Sequence, residues 1–135
     1  SCDDKNVYFL VEVLDRSLLR GDYATVYLSP DDSKSLANGA KRIQVSMDGL
    51  KSTETYAGKW NSAEMGVEVK TYVCNDTNED RIDNYGYIAE ISIPRSSLTI
   101  SSGQVLVNFS ITDNKEEKAV SDVSSISRWI PVAGL

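Results

Sequence analysis

Alternation of apolar and polar side chains with a period of two is the feature of this sequence that most restricts its fold. A strand points successive side chains to opposite faces, so such a segment buries one face and exposes the other to water. β-Branched and aromatic residues, which suit a pleated surface, crowd these segments. The segments predicted to be strands are Val7–Val13, Tyr23–Ser29, Arg42–Met47, Val67–Cys74, Tyr87–Pro94, Val105–Asp113 and Arg128–Val132.

The connections between these segments carry residues that favour turns. Pro, Asp, Asn, Ser and Gly collect in Ser29–Asp32, Asp48–Gly49, Asn75–Asn84 and Ser101–Gly103. Helical periodicity is absent apart from a single turn predicted over Lys34–Asn38. This pattern predicts an all-β chain, an antiparallel β-sandwich with jelly-roll-like order and about seven or more strands.

Length and charge restrict the domain count and the partners. A chain of 135 residues has the size of one domain, so we expect a single unit over residues 1–135, excised from a larger protein. The balance of 20 Asp and Glu against 14 Lys and Arg gives a net charge of −6, which disfavours nucleic acid as a partner. No run approaches the about 18 apolar residues of a membrane-spanning helix.

The residues available for catalysis are few, and we predict that the chain is not an enzyme. There is no histidine, the commonest general base and zinc ligand. No glycine-rich phosphate loop or Gly-x-Ser-x-Gly turn is present. A pair of carboxylates from distant strands, as in glycoside hydrolysis, is the one catalytic arrangement that a sequence cannot reveal.

An acidic segment spaces oxygen donors as a calcium loop does. Asp76, Asn78 and Asp80 stand at alternate positions and are the predicted calcium ligands. Arg81 and Tyr87 occupy the positions at which an EF-hand requires glycine and glutamate, so the segment is not an EF-hand. The alternative is a solvated acidic hairpin loop.

Two aromatic residues lie in the polar segment from Gly49 to Gly66 and are the predicted sugar platforms. Pyranose rings stack their apolar faces on tryptophan or tyrosine, which makes Tyr56 and Trp60 candidates. The alternative for Trp60 is a plug over one end of the core. For Trp129, in the final strand, we predict core packing.

Two cysteines leave three alternatives open. Cys2 and Cys74 permit one disulfide, or both are buried small side chains. The sequence around Cys2 also resembles the N-terminus of a bacterial lipoprotein, in which the cysteine carries lipid.

The order of segments resembles the family 9 carbohydrate-binding module. The resemblance lies in Asp3–Asp15, Asp22–Pro30 and Tyr85–Leu98, followed by Gly103, Asn108, Asp113 and Trp129. It implies a jelly-roll-like sandwich, frequently binding calcium and often attached to secreted polysaccharide-degrading enzymes. It also implies that a first strand or two, normally upstream of Asp3, is missing here.

The family's binding residues match this sequence in part. Arg42 and Asp113 match polar positions that contact sugar. Thr25 and Ser110 stand where the family has glutamate and glutamine, and Leu18–Gly21 lacks the first of the family's two clamping tryptophans. The second lies beyond the position at which this chain ends.

These observations predict a non-catalytic carbohydrate-binding module of an extracellular or cell-surface protein. Its partners would be a polysaccharide or oligosaccharide and the neighbouring domains of a larger chain. The alternative is a structural or interaction domain without sugar-binding activity.

Overall fold

The structure is a computed structural model. It describes residues 1–14, 21–30, 36, 38–78, 81–113, 116–120 and 129–135, with the backbone alone described for 74–78 and 81–85. Within these residues the chain forms ten strands and one turn of 3-10 helix at Arg95–Ser97. The strands are β1 Asn6–Leu14, β2 Tyr23–Pro30, β3 Lys41–Ser46, β4 Gly49–Tyr56, β5 Trp60–Ser62, β6 Glu68–Asn78, β7 Arg81–Pro94, β8 Val105–Asp113, β9 Glu116–Ala119 and β10 Ile130–Val132.

The strands form two antiparallel sheets that pack face to face, so the predicted antiparallel β-sandwich is confirmed. The small sheet has the order β1-β7-β6. The large sheet has seven strands in the order β10-β8-β2-β3-β4-β5, with β9 also paired to β8. The inner faces of both sheets contribute to one hydrophobic core.

The predicted inner faces of the strands line this core. Ala24, Val26 and Leu28 of β2 are at most 2% exposed, and the inward positions of β7 from Tyr87 to Ile93 are at most 1% exposed. The core does not extend to every position of the pattern, because Val73 and Ile111 remain more than a third exposed. Alternation therefore identifies the buried face of each long strand but not the limits of the core.

Three described strands were missed by the sequence analysis, and one predicted turn is wrong. β4, β5 and β9 were not predicted, and β4 and β5 lie in the segment interpreted as a polar connection. The segment Asn75–Asn84, predicted as a turn, is mostly ladder, because pairing between β6 and β7 continues to Asn78 and Arg81. The single turn predicted over Lys34–Asn38 lies mostly outside the described residues.

Hydrogen bonds between the sheets hold the β3–β4 hairpin in place. The buried Tyr87 of the small sheet donates its hydroxyl to the carbonyl of Val45, at 3.2 Å. Thr71 of β6 donates to the carbonyl of Met47 in the hairpin turn, at 3.1 Å. Burial raises the pKa of Tyr87 to about 12, since the phenolate form would lose its hydration. The β3–β4 hairpin is thus held against the small sheet by hydrogen bonds from two uncharged hydroxyl groups.

No helix among the described residues is long and apolar enough to span a membrane.

Candidate functional site

The outer face of the large sheet carries three of the four residues predicted to bind sugar: Arg42, Tyr56 and Trp60. The strand register places Tyr27, Arg42 and Glu54 side by side across β2, β3 and β4. The next row holds Gln44 and Ser52. We call Arg42, Gln44, Ser52 and Glu54 the polar strip. All four point away from the core because their strand neighbours point into it.

An ion pair with two hydrogen bonds fixes the centre of the polar strip. Arg42 donates from Nε to Oε1 of Glu54 at 3.1 Å and from Nη2 to Oε2 at 2.7 Å. The two side chains are only 22% and 17% exposed, so water screens the pair less than it would a surface pair. This two-point geometry is the one that guanidinium and carboxylate favour, and it holds the arginine in one orientation.

The strip continues as a hydrogen-bonded network. The Ser52 hydroxyl donates to Oε1 of Gln44 at 2.8 Å and lies 3.5 Å from Oε1 of Glu54. Because the donors and acceptors are already oriented by one another, little side-chain order has to be imposed when a ligand binds. The strip is therefore a set of polar side chains held in one geometry by their own hydrogen bonds.

Aromatic rings border the strip at β4 and β5. The ring centroids of Tyr56 and Trp60 lie 5.3 Å apart, and those of Tyr27 and Trp60 lie 5.9 Å apart. The guanidinium carbon of Arg42 lies 4.6 Å from the centre of the Trp60 ring. We call Tyr27, Tyr56 and Trp60 the aromatic cluster. Trp60 is half-buried: it packs against the buried group of Tyr27, Leu106 and Trp129, and part of its surface remains open to solvent.

Tyr27 is the buried member of the aromatic cluster and connects it to Trp129. It is 3% exposed, it packs against Trp129 at 5.8 Å between centroids, and its hydroxyl donates to Oε1 of Glu117. Burial, reinforced by Glu117, raises the pKa of Tyr27 to about 12. Trp129 is 3% exposed, which confirms the core-packing role predicted for it.

The two halves of the outer face differ in exposure. On β2 and β8 the outward polar side chains are almost fully buried, whereas Tyr23 at the start of β2 is partly exposed. The buried ones are Thr25, Ser29, Asn108, Ser110 and Thr112. On β3 and β4 the polar strip is partly exposed along its length. Thr25 and Ser110, which stand where the family 9 modules have glutamate and glutamine, therefore lie on the outer face but out of contact with solvent. The partly exposed part of this face runs over β3, β4 and β5 and includes Tyr23 at the start of β2.

The structure brings together three of the four residues predicted to contact sugar. Arg42, Tyr56 and Trp60 meet on the outer face, whereas Asp113 lies at the end of β8 and shares the inward orientation of Val105 and Val107. Since Asp113 is five residues from Asn108, the neighbour of Tyr27, it lies roughly 16 Å from the cluster.

Glu54 was missed by the sequence analysis because a bulge in β4 hides its pairing. The hairpin closes with Ser46 opposite Gly49, so counting outwards from the turn would place Thr53 opposite Arg42. The extra residue Lys51 shifts the register by one and brings Glu54 to that place. An arginine and a glutamate directly opposite each other on adjacent strands are a stabilising pair.

The predicted calcium ligands lie where side chains are not described. Asp76 and Asn78 belong to β6, whose backbone is described there, and Asp80 lies outside the described residues. Among the side chains that are described, no group of three or more acidic or cysteine residues is placed to hold a metal. The calcium site remains a prediction.

Cys2 is a free thiol whose sulfur lies 3.4 Å from the carbonyl oxygen of Gly134. Its backbone bridges to Val7, which pairs with Ile93, whereas the backbone of Cys74 pairs with Gly86. The seven-residue offset along β7 separates the two cysteines by roughly 23 Å, far beyond the reach of a disulfide. The alternative of an internal Cys2–Cys74 disulfide is therefore wrong.

The comparisons with known proteins give one informative similarity. The chain is 29% identical over 114 residues to endo-1,4-beta-xylanase C of Paenibacillus barcinonensis, covering 84% of this chain and 9% of that protein. The chain thus spans less than a tenth of the length of this relative. No protein-family profile matches the chain, and no solved structure matches it.

Proposed function

We propose that this chain is a non-catalytic module that binds a β-1,4-linked polysaccharide of the xylan class. The observation that carries the proposal is the polar strip, held in one geometry by the Arg42–Glu54 pair and bordered by Tyr56 and Trp60. An aromatic border beside oriented donors and acceptors is the arrangement that sugar recognition requires.

Each group has a defined part in the proposed complex. The exposed parts of Tyr56 and Trp60 contact the apolar face of a pyranose ring. Arg42 donates a hydrogen bond to a sugar hydroxyl, while Glu54 and Gln44 accept from others. Because Arg42 lies against the Trp60 ring, the sugar meets the rest of the indole and the neighbouring tyrosine. Asp113, too far away to contact the same sugar, has no part in this arrangement.

The similarity to a xylanase supports the sugar class and the absence of catalysis. The matching region is 9% of a protein named for its xylanase activity, which fits an accessory module better than a catalytic unit. The resemblance to family 9 carbohydrate-binding modules points in the same direction. Residence outside the cell, in a larger polysaccharide-degrading or surface protein, belongs to the same proposal, as does a calcium ion at Asp76, Asn78 and Asp80.

Native affinity electrophoresis tests the proposal. The chain is run through gels containing soluble xylan and, in parallel, through gels without polysaccharide. We expect retardation by xylan, reduced by Trp60→Ala and by Glu54→Gln. Tyr72→Ala, an exposed tyrosine on the small sheet, is the matched control and should leave retardation unchanged. Retardation that survives both site substitutions would refute the site, and no retardation by any polysaccharide would refute the function.

A second candidate function is an interaction domain that binds no sugar. It is favoured by the outer face of the small sheet, where Leu10, Leu14 and Tyr72 are 69%, 78% and 53% exposed. Large apolar side chains exposed on an open sheet face favour a contact with another domain. Unretarded migration on every polysaccharide gel, together with a folded chain, is the outcome that favours this candidate.

A further inference from the structure

A second aromatic residue, Tyr23, lies at the other end of the outer face. Tyr23 and Tyr27 both point outwards from β2, four residues apart, which separates them by roughly 13 Å. Gln44 and Ser52 of the polar strip lie in the intervening row. The face therefore runs from the aromatic cluster, across a hydrogen-bonded polar surface, to another aromatic ring.

The ring of Tyr23 is covered by a lysine that can move. Lys51 Nζ lies 3.4 Å from the ring centre. The side chain of Lys51 is exposed and forms no ion pair with another described residue, whereas Arg42 over Trp60 is held by two hydrogen bonds. An exposed cation–π contact is a weak one, so Lys51 leaves the ring at little cost. Lys51 is the extra residue of a β-bulge, because Gln44 pairs with Ser52 and Val45 pairs with Leu50. Its side chain extends across β3 to the Tyr23 ring on β2.

Unpartnered hydroxyls lie beside the same ring. Thr112 stands directly opposite Tyr23 on β8, and Thr25 is the next outward residue along β2. Oγ1 of each is buried and has no hydrogen-bond partner among the described residues. A buried hydroxyl without a partner is costly, so these two positions keep unused hydrogen-bonding capacity directly beneath the surface next to Tyr23.

We propose that Tyr23 is a second stacking position for the polysaccharide, so that the site recognises an internal stretch of chain rather than a chain end. The inference rests on the proposed function and extends it. A pyranose ring is roughly as long as the spacing between neighbouring strands, about 5 Å, so about three rings reach from the aromatic cluster to Tyr23. Lys51 swings off the ring when the chain is long enough to arrive there.

Titration calorimetry with linear xylooligosaccharides of increasing length tests the inference. Affinity is expected to rise with length until the ligand spans both stacking positions and then to level off. Tyr23→Ala should weaken binding of the long oligosaccharides about three- to ten-fold, the range of one aromatic contact, and leave the short ones unchanged. Tyr23→Phe, which keeps the ring, should behave as the parent chain. Lys51→Ala should tighten binding of the long ligands alone, about two- to five-fold.

Reduction of the terminal sugar to its alditol supplies the test of internal recognition. Long oligosaccharides should bind equally well before and after reduction, because the site contacts the middle of the chain. Loss of binding on reduction, or affinity that is independent of length, would overturn the inference while leaving the polysaccharide-binding function standing. Equal weakening of short and long ligands by Tyr23→Ala would also overturn it, since that result indicates a general loss of structure. Failure of every oligosaccharide to bind the parent chain would overturn the function as well.

Discussion

Separating Arg42 from Glu54 is the perturbation whose energetic effect the structure defines best. Exposed ion pairs contribute about 0.2–1 kcal/mol, and this pair belongs at the upper end because it has two hydrogen bonds and is about four-fifths buried. The contact between Arg42 and the Trp60 ring adds about 0.5–1 kcal/mol. Arg42→Ala should therefore lower the free energy of unfolding by about 2 kcal/mol and the melting temperature by about 8 °C.

A double-mutant cycle measured by urea denaturation isolates the pair. Arg42→Ala, Glu54→Ala and the double variant should give a coupling energy of about 1 kcal/mol. Arg42→Lys keeps the charge but not the planar fork, so it should lose a large part of that coupling. Lys41→Ala is the control, because Lys41 donates to the neutral hydroxyl of Thr55 at 3.0 Å and should not couple to Glu54. A coupling below about 0.3 kcal/mol would refute the account of the strip as a fixed surface.

Three further predictions concern alkaline stability, the thiols and calcium. The folded chain retains the protons of Tyr27 and Tyr87 up to about pH 12, whereas the unfolded chain loses them near pH 10. The contribution of these two tyrosines to stability should thus be constant below about pH 10 and fall between pH 10 and 12 by about 2 kcal/mol per tyrosine. Urea titrations at each pH measure this fall, and Tyr87→Phe should halve it. Without reductant, mass spectrometry should find no internal Cys2–Cys74 disulfide; a mass lower by two hydrogens would contradict this. Calcium should raise the melting temperature, and EDTA should reverse that rise. A melting temperature that responds to neither, or an equal rise with calcium in Asp76→Asn, would reject the calcium site.

The long strands of the core could be predicted from sequence because their environment differs between the two faces. β2 and β7 pack against the opposite sheet on one side, and their apolar residues recur accordingly. β4 escaped prediction because its inward Thr53 and Thr55 and outward Ser52 and Glu54 are all polar, so no alternation is visible. A strand whose two faces are both largely polar leaves no hydrophobic pattern from which to predict it.

The candidate site was predictable in its aromatic members and less so in its charged ones. Tyr56 and Trp60 could be singled out because large aromatic rings are unusual in a polar segment. Such rings either pack over the core or stack on a ligand. Glu54 depends on the register of the hairpin, which the bulge beside Val45 shifts by one residue. Asp113 was suggested by resemblance alone. It lies an even number of residues from Val105 and Val107, so alternation along β8 places it on the inward face, opposite to that of Arg42. Facing residues across strands require a register that composition and spacing do not supply.

The central claim, that the outer face at β3–β5 binds xylan, is tested most directly by nuclear magnetic resonance. Titration of the ¹⁵N-labelled chain with linear xylohexaose reports on two indole N–H groups, since the sequence has two tryptophans. Binding at this face should shift the resonances of the Trp60 indole and of the Arg42 and Glu54 amides strongly, and that of the buried Trp129 indole less. An unchanged spectrum at saturating ligand, or shifts confined to the small sheet around Leu10 and Tyr72, would contradict it.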